Sequence, residues 1–204
     1  DPSTRTSYPH ELLRHFLLEM LQAMPPDSCR QIYEAAGEIY RRAGNRQKAV
    51  ECFFLAGNDE QLLSCELTGL LGETFGTVSY TSLARRVLRR CPPETLARHP
   101  VSMLRLCLAL FGGTDFPAFE LALEQSREIL EGLGDRQLLG EWHLLSAFRD
   151  FPDISRMKAQ YEKAAALMTA PSQLFNEREP YIFGTTSMWY LFYRTPGKMM
   201  ETAE

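Results

Sequence analysis

Apolar residues recur at three- and four-residue spacing along almost the whole chain, the signature of helices with one buried face. Leu12, Phe16, Leu17 and Met20 set the phase of a first helix over residues 9–24. Pro25-Pro26-Asp27 breaks it, and Asp27 or Ser28 is placed to cap the next helix. The same period predicts helices over 28–43, 46–56, 59–75 and 80–91, with a turn around Gly76-Thr77. Pro92-Pro93 opens a short helical turn in PPETLARHP, and further helices are predicted over 100–112, 117–132, 136–149 and 154–168. From Ala170-Pro171 the pattern loosens before a last apolar, helix-forming run over 184–195. The one β-leaning stretch, Thr77-Val78-Ser79-Tyr80-Thr81, is short and polar and carries little weight. Connections are short and rich in Gly, Asn, Asp and Pro, which implies antiparallel neighbours. The predicted fold class is all-α.

Within this pattern residues 33–59, YEAAGEIYRRAGNRQKAVECFFLAGND, stand out. Tetratricopeptide repeats place an aromatic, Leu-Gly and Tyr on one helix, then Ala and Phe on the next, with a period of ~34 residues. Here Tyr33, Ala36, Gly37 and Tyr40 follow the spacing W-x2-L-G-x2-Y, and Ala49, Phe53 and Ala56 follow after the Gly44 turn. Gly37 and Ala49 are expected where two helices cross closely, with Tyr33, Tyr40 and Phe53 filling the space around the crossing. The terminal Pro of the repeat is replaced by Gly57-Asn58-Asp59. An ordinary αα-hairpin is the plainer alternative. Looser hairpins are expected over 100–130, turning at Gly112-Gly113-Thr114-Asp115, and over 136–168, turning at Phe151-Pro152-Asp153. A stack of such pairs, a TPR-like α-α superhelix, is the expected architecture, because each pair exposes an apolar face that the next can cover.

Composition narrows the classes. The chain has 204 residues, 45% hydrophobic and 24% charged, with a net charge of −4, so bulk charge does not suggest nucleic-acid binding. No apolar run reaches the ~20 residues of a membrane span. The first residues lack the basic region and apolar block of a signal peptide, and the missing initial Met suggests a piece of a longer chain. Cys29, Cys52, Cys65, Cys91 and Cys107 are odd in number, form no CxxC pair and sit in apolar helical patterns. That favours reduced, mostly buried thiols and a cytoplasmic protein.

The order of features resembles the central region of MalT-like, LuxR-type bacterial transcription activators, the large signal-transduction ATPases. In that family the winged-helix part ends in a segment like (Y/F)xxHxLFxxFL. Residues 8–17, YPHELLRHFL, are similar, with His10, Leu12, Leu13, Phe16 and Leu17 matching. The stretch from Ala35-Ala36 to Ala56-Gly57-Asn58-Asp59 resembles the helices that follow, and Cys91-Pro92-Pro93 through Leu110 resembles a later element. Cys91 stands where the family usually has Leu. The resemblance covers residues 8–170. It implies three parts: 1–26, the end of a winged-helix domain and a connecting helix; 27–76, a TPR-like helical arm; 77–204, the start of a helical-repeat superhelix. The chain contains neither a Walker sequence, GxxxxGK[ST], nor a LuxR-type helix-turn-helix. ATP use and DNA binding, which the resemblance implies, therefore belong to other parts of the whole protein, and no cofactor is expected here.

Candidate chemistry is sparse. His10, His15, His99 and His143 have no metal-ligand spacing with one another or with Cys. His10 is expected to pack at the domain junction. Cys91 with His99 lacks any orienting group for a nucleophile pair, and no GxSxG elbow occurs. Arg85, Arg86, Arg89 and Arg90 form a basic stripe opposite Leu83, Val87, Leu88 and Cys91, expected as a solvated face or an interface to an acidic surface. In the repeat resemblance, Gln31, Glu34, Glu38, Arg41 and Arg42 line the concave side where partners dock. The aromatic tail, Phe175, Tyr181, Phe183, Trp189, Tyr190, Phe192 and Tyr193, is expected mainly as core, with Trp189 and Tyr190 as candidate ligand-lining residues. Uncovered, it predicts either a homodimer through this end or a poorly ordered tail.

The expected function is that of a non-enzymatic sensor region. It binds a small-molecule or protein inducer and relays this to ATPase and DNA-binding domains of the same chain, with no membrane partner. The alternative is a free-standing TPR-like scaffold for protein–protein interaction.

Overall fold

The computed structural model describes residues 11–70, 73–151 and 153–175. Among them are ten α-helices and one minimal β-hairpin, and the fold is all-α. The chain divides into two compact units, Asp1–Asn58 and Asp59–Glu204. The division falls after the third helix, whereas the expected boundaries lie at 26/27 and 76/77. His10, the helix over 184–195, Trp189, Tyr190 and the other aromatics beyond Phe175 lie outside the described residues.

The first unit contains α1 (Glu11–Ala23), α2 (Pro26–Arg42) and α3 (Arg46–Ala56). Helix α2 does not begin on an Asp27 or Ser28 cap. Pro25 holds the capping position with no side-chain bond, and Pro26 takes the first helical place. Proline suits that place because its φ is preset and its missing N–H would have no helical partner there. Helices α2 and α3 pair as a hairpin. Asn45 caps α3, its Oδ1 accepting from Lys48 N at 3.1 Å. Gly57, at φ +71°, ends α3 in a left-handed turn in which the Asn58 N–H reaches the Phe53 carbonyl at 3.0 Å.

The second unit runs α4 (Asp59–Leu63), β1 (Thr74–Phe75), β2 (Val78–Ser79), α5 (Tyr80–Arg90), α6 (Pro93–Arg98), α7 (Pro100–Gly112), α8 (Phe116–Leu133), α9 (Arg136–Ser146) and α10 (Ile154–Leu167). A 3-10 turn, Ala147–Asp150, follows α9 and replaces the end of the helix expected to 149.

The helix expected over 59–75 is corrected. It stops at Leu63, where Ser64 Oγ and Cys65 Sγ both turn back onto the Gln61 carbonyl, a local bond that competes with helix continuation. Glu66 and Gly69 then adopt positive φ, which an α-helix does not tolerate. Leu62, Leu63, Leu67 and Leu70 are all buried. Their spacing reported burial, and the chain achieves it with an irregular segment. The discounted β-leaning stretch also forms structure: Phe75 pairs with Val78 and Thr74 with Ser79 around Gly76-Thr77.

Helix α7 is the axis of this unit. Ser102 to Leu110 are buried without interruption, and a helix apolar on all sides belongs in a core. Helices α5, α8, α9 and α6 pack on it, and α8, α9 and α10 pack in succession. Capping follows chemistry already visible in the chain. Asp135 accepts from Gln137 N and Leu138 N to start α9, and Asp153 accepts from Arg156 N to start α10. Among the described residues, no helix is long and apolar enough to cross a membrane.

Candidate functional site

Helix α2 carries the first candidate surface. Its inner side meets α3 through Gly37, which is buried. A Cβ on Gly37 would stand 2.6–2.9 Å from three ring atoms of Phe53, so the glycine is what lets the ring lie against the α2 backbone. Ala49 and Phe53 are buried beside it. Tyr33 is half-buried, and burial, followed by the nearby Cys29, Cys52 and Glu51, pushes its phenol pKa up. Tyr40, expected to fill the crossing, is instead exposed. It sits in the last turn of α2, beyond the closest approach, where α3 is only beginning.

On the outer side, Gln31, Glu34, Glu38, Arg41 and Arg42 fall within one arc of the helix, as 3.6-residue spacing requires. Glu34 accepts from Asn58 Nδ2 at 3.1 Å. Glu38 is gripped by Arg41 at 2.6 Å and Arg42 at 3.3 Å. The Arg41 hydrogen bond, above all, holds its carboxyl below the usual glutamate value. The surface is thus internally neutralised, and a partner would be recognised by hydrogen-bonding pattern and shape rather than by net charge. Ile32 and Ile39, exposed and seven residues apart, flank it.

Two arginines of the α5 stripe are engaged within their own unit. Arg85 pairs with Asp115, and Arg90 makes a bidentate contact with Asp59, its Nη2 at 2.6 Å. Leu83, Ala84 and Val87 form the buried side. At the start of α7, Glu60 is held by Arg98 and by His99 Nε2 at 2.8 Å. These bonds, the Arg98 one first, pull its carboxyl down to about 2. His99 is thereby turned to Glu60, and Cys91 is a buried thiol raised to about 11, chiefly by burial. A nucleophile needs the thiolate, so this pair is not arranged for covalent chemistry. Cys107 is pushed up to about 12 by burial. His143 Nδ1 faces Gln160 Oε1 at 2.9 Å, and His15 lies 3.7 Å from Glu19. Among the described residues no group of His, Cys, Asp and Glu is arranged to hold a metal ion.

A polar cluster that the helical pattern did not single out lies on α7 and α9: Arg105, Gln137 and Glu141. Arg105 and Glu141 are buried, and all three side chains bond the segment after α10. The signal was a charge embedded in an apolar run, Arg105 inside VSMLRLCLALF and Glu141 between Gly140 and Trp142. Such charges are almost never fully buried unless partnered.

Compared with known proteins, the chain matches no family model, no curated protein and no solved structure.

Proposed function

We propose that this chain is a TPR-like helical-repeat sensor region of a LuxR-type transcriptional regulator of the MalT-like class, and that it works by binding rather than by catalysis. The observation that carries the reading is the α2–α3 hairpin: Gly37 against the Phe53 ring, with Ala49 buried alongside, occupies the positions that the repeat pattern assigns to a close crossing. The same pattern turns Gln31, Glu34, Glu38, Arg41 and Arg42 outward as a partner-docking face. The successive packing of α7, α8, α9 and α10 suits a stack of helix pairs.

In this reading an inducer, a small molecule or a protein, acts by binding the resting and active states with different affinity, since equal affinity shifts nothing. ATP hydrolysis and DNA binding reside in other domains of the whole cytoplasmic protein. A homodimer through the C-terminal aromatic segment belongs to the same proposal, with Trp189, Leu191 and Phe192 on the contact face. The purified chain is expected to hydrolyse no ATP and to bind DNA without sequence preference or not at all. A coupled phosphate-release assay and gel retardation at 50 and 200 mM salt check this, the salt range following from the steep ionic dependence of phosphate contacts. Retardation that survives the higher salt and depends on sequence would place the DNA-binding function inside this chain and overturn the assignment.

A further inference from the structure

After α10 the chain does not simply leave the helices. Residues 168–175 lie along α9 and α7 and are held mostly by their backbone. Gln137 Oε1 accepts from Thr169 N at 2.9 Å and Ala170 N at 3.1 Å, while its Nε2 donates to the Ala170 carbonyl at 3.1 Å. Glu141 Oε1 accepts from Gln173 N, and Arg105 Nη2 donates to the carbonyl of the same residue. Two helices thus read both backbone polar groups of one residue, Gln173, with side chains of opposite charge. Contacts of this kind read the backbone of a bent segment, which curves at Thr169-Ala170 and again from Gln173 to Phe175.

Side chains of the segment make contacts at Met168, Ser172, Leu174 and Phe175. Met168 lies over Gly140, where a Cβ would collide with it. Ser172 donates to Glu141 Oε2 at 2.6 Å, and its Oγ accepts from Leu174 N and Phe175 N. Leu174 is completely buried. Phe175 meets Phe148 edge-to-face at 5.6 Å, and Phe148 stacks on Phe111 at 4.8 Å.

We propose that the groove formed by Arg105, Gln137, Gly140 and Glu141 is a binding site for a short peptide with a serine-centred turn, and that residues 168–175 are its occupant in cis. The peptide it takes has an apolar residue, a hydroxyl residue four positions later, then an apolar and an aromatic residue at the sixth and seventh positions after the first. The burial of Glu141 argues for replacement rather than simple opening. Vacating the groove would strip a buried carboxylate of the donors that compensate it, and a competing peptide restores them. A tethered occupant has an effective concentration in the millimolar range, so the groove is shut to outside peptides until the strap is weakened or a better one arrives. This inference stands independently of the regulator reading.

The test uses the intact chain and a fluorescein-labelled synthetic octapeptide, MTAPSQLF, identical to residues 168–175. Leu174→Asp weakens the resident segment and leaves the groove unaltered. Fluorescence anisotropy is expected to show the peptide binding Leu174→Asp at least ten times more tightly than the unaltered chain. Adding Glu141→Ala should abolish the gain. A control peptide with proline in place of Gln173, which lacks the N–H that Glu141 accepts, should not bind. Gln173→Pro in the chain replaces Leu174→Asp if the latter does not fold, as judged by circular dichroism. Equal binding to both chains, no binding to a folded strap variant, binding that survives Glu141→Ala, or unfolding of both strap variants would each overturn the proposal. The last outcome would make the segment a fixed part of the core.

Discussion

Replacing Gly37 by leucine is expected to lower the urea midpoint of the chain, at a cost of ~1–3 kcal/mol or more from overpacking at a close helix contact. The magnitude rests on two features. A Cβ at this position would already fall 2.6–2.9 Å from the Phe53 ring, and that ring is buried and cannot swing aside. Relief requires α2 and α3 to separate, which loosens Ala49 and Val50 as well. Gly37→Ala sharpens the test. In an exposed helix alanine is favoured over glycine by ~1 kcal/mol, so a loss on Gly37→Ala reports the clash against that gain. In a Phe53→Leu background the alanine penalty should shrink, because the narrower side chain leaves room for the Cβ. Equal midpoints for Gly37→Leu and the unaltered chain would show that the helices do not cross at this residue.

Trp142→Ala should be the most damaging single truncation in the second unit, ~3–5 kcal/mol. The indole is buried on α9, its Nε1 donates to the Leu123 carbonyl of α8 at 2.8 Å, and the Arg127 guanidinium lies 5.6 Å from the ring centre. The substitution therefore removes a large apolar surface, an interhelical hydrogen bond and a cation–π contact together. Trp142→Phe separates these. Leu123 O keeps a second donor, Ser126 Oγ at 2.7 Å, so the carbonyl is not orphaned and the cost should be ~1 kcal/mol. Thermal unfolding of the three proteins decides. Trp142→Phe as harmful as Trp142→Ala would mean that the polar contact, and not the ring, holds α8 to α9.

These predictions show where the sequence was legible. Helix positions that follow from capping and period, such as α9 after Gly134-Asp135 and α10 after Asp153, are written locally. The α2–α3 crossing was legible for the same reason, since Gly37, Ala49 and Phe53 meet within one hairpin. What was not legible depends on distant partners. Leu63, Leu67 and Leu70 keep helical spacing, yet the helix ends at Leu63 because Ser64 and Cys65 bond the preceding Gln61 carbonyl and the leucines find their burial without it. Tyr40 matches the repeat pattern by spacing but lies exposed past the crossing. On the candidate surface, spacing places Gln31, Glu34, Glu38, Arg41 and Arg42 together, but not the pairing of Glu38 with both arginines that neutralises the face. The groove of Arg105, Gln137 and Glu141 was hidden because its partner, the segment around Gln173, lies 68 positions from Arg105 along the chain.

The central claim is that this chain is the sensor region of a larger regulator, and the most direct measurement is the nucleotide sequence on either side of its coding region. The account predicts one continuous reading frame, with GxxxxGK[ST] encoded upstream of Asp1 and a LuxR-type helix-turn-helix downstream of Glu204. A frame that begins just before Asp1 and stops soon after Glu204, with neither motif, would contradict it and leave a free-standing helical scaffold.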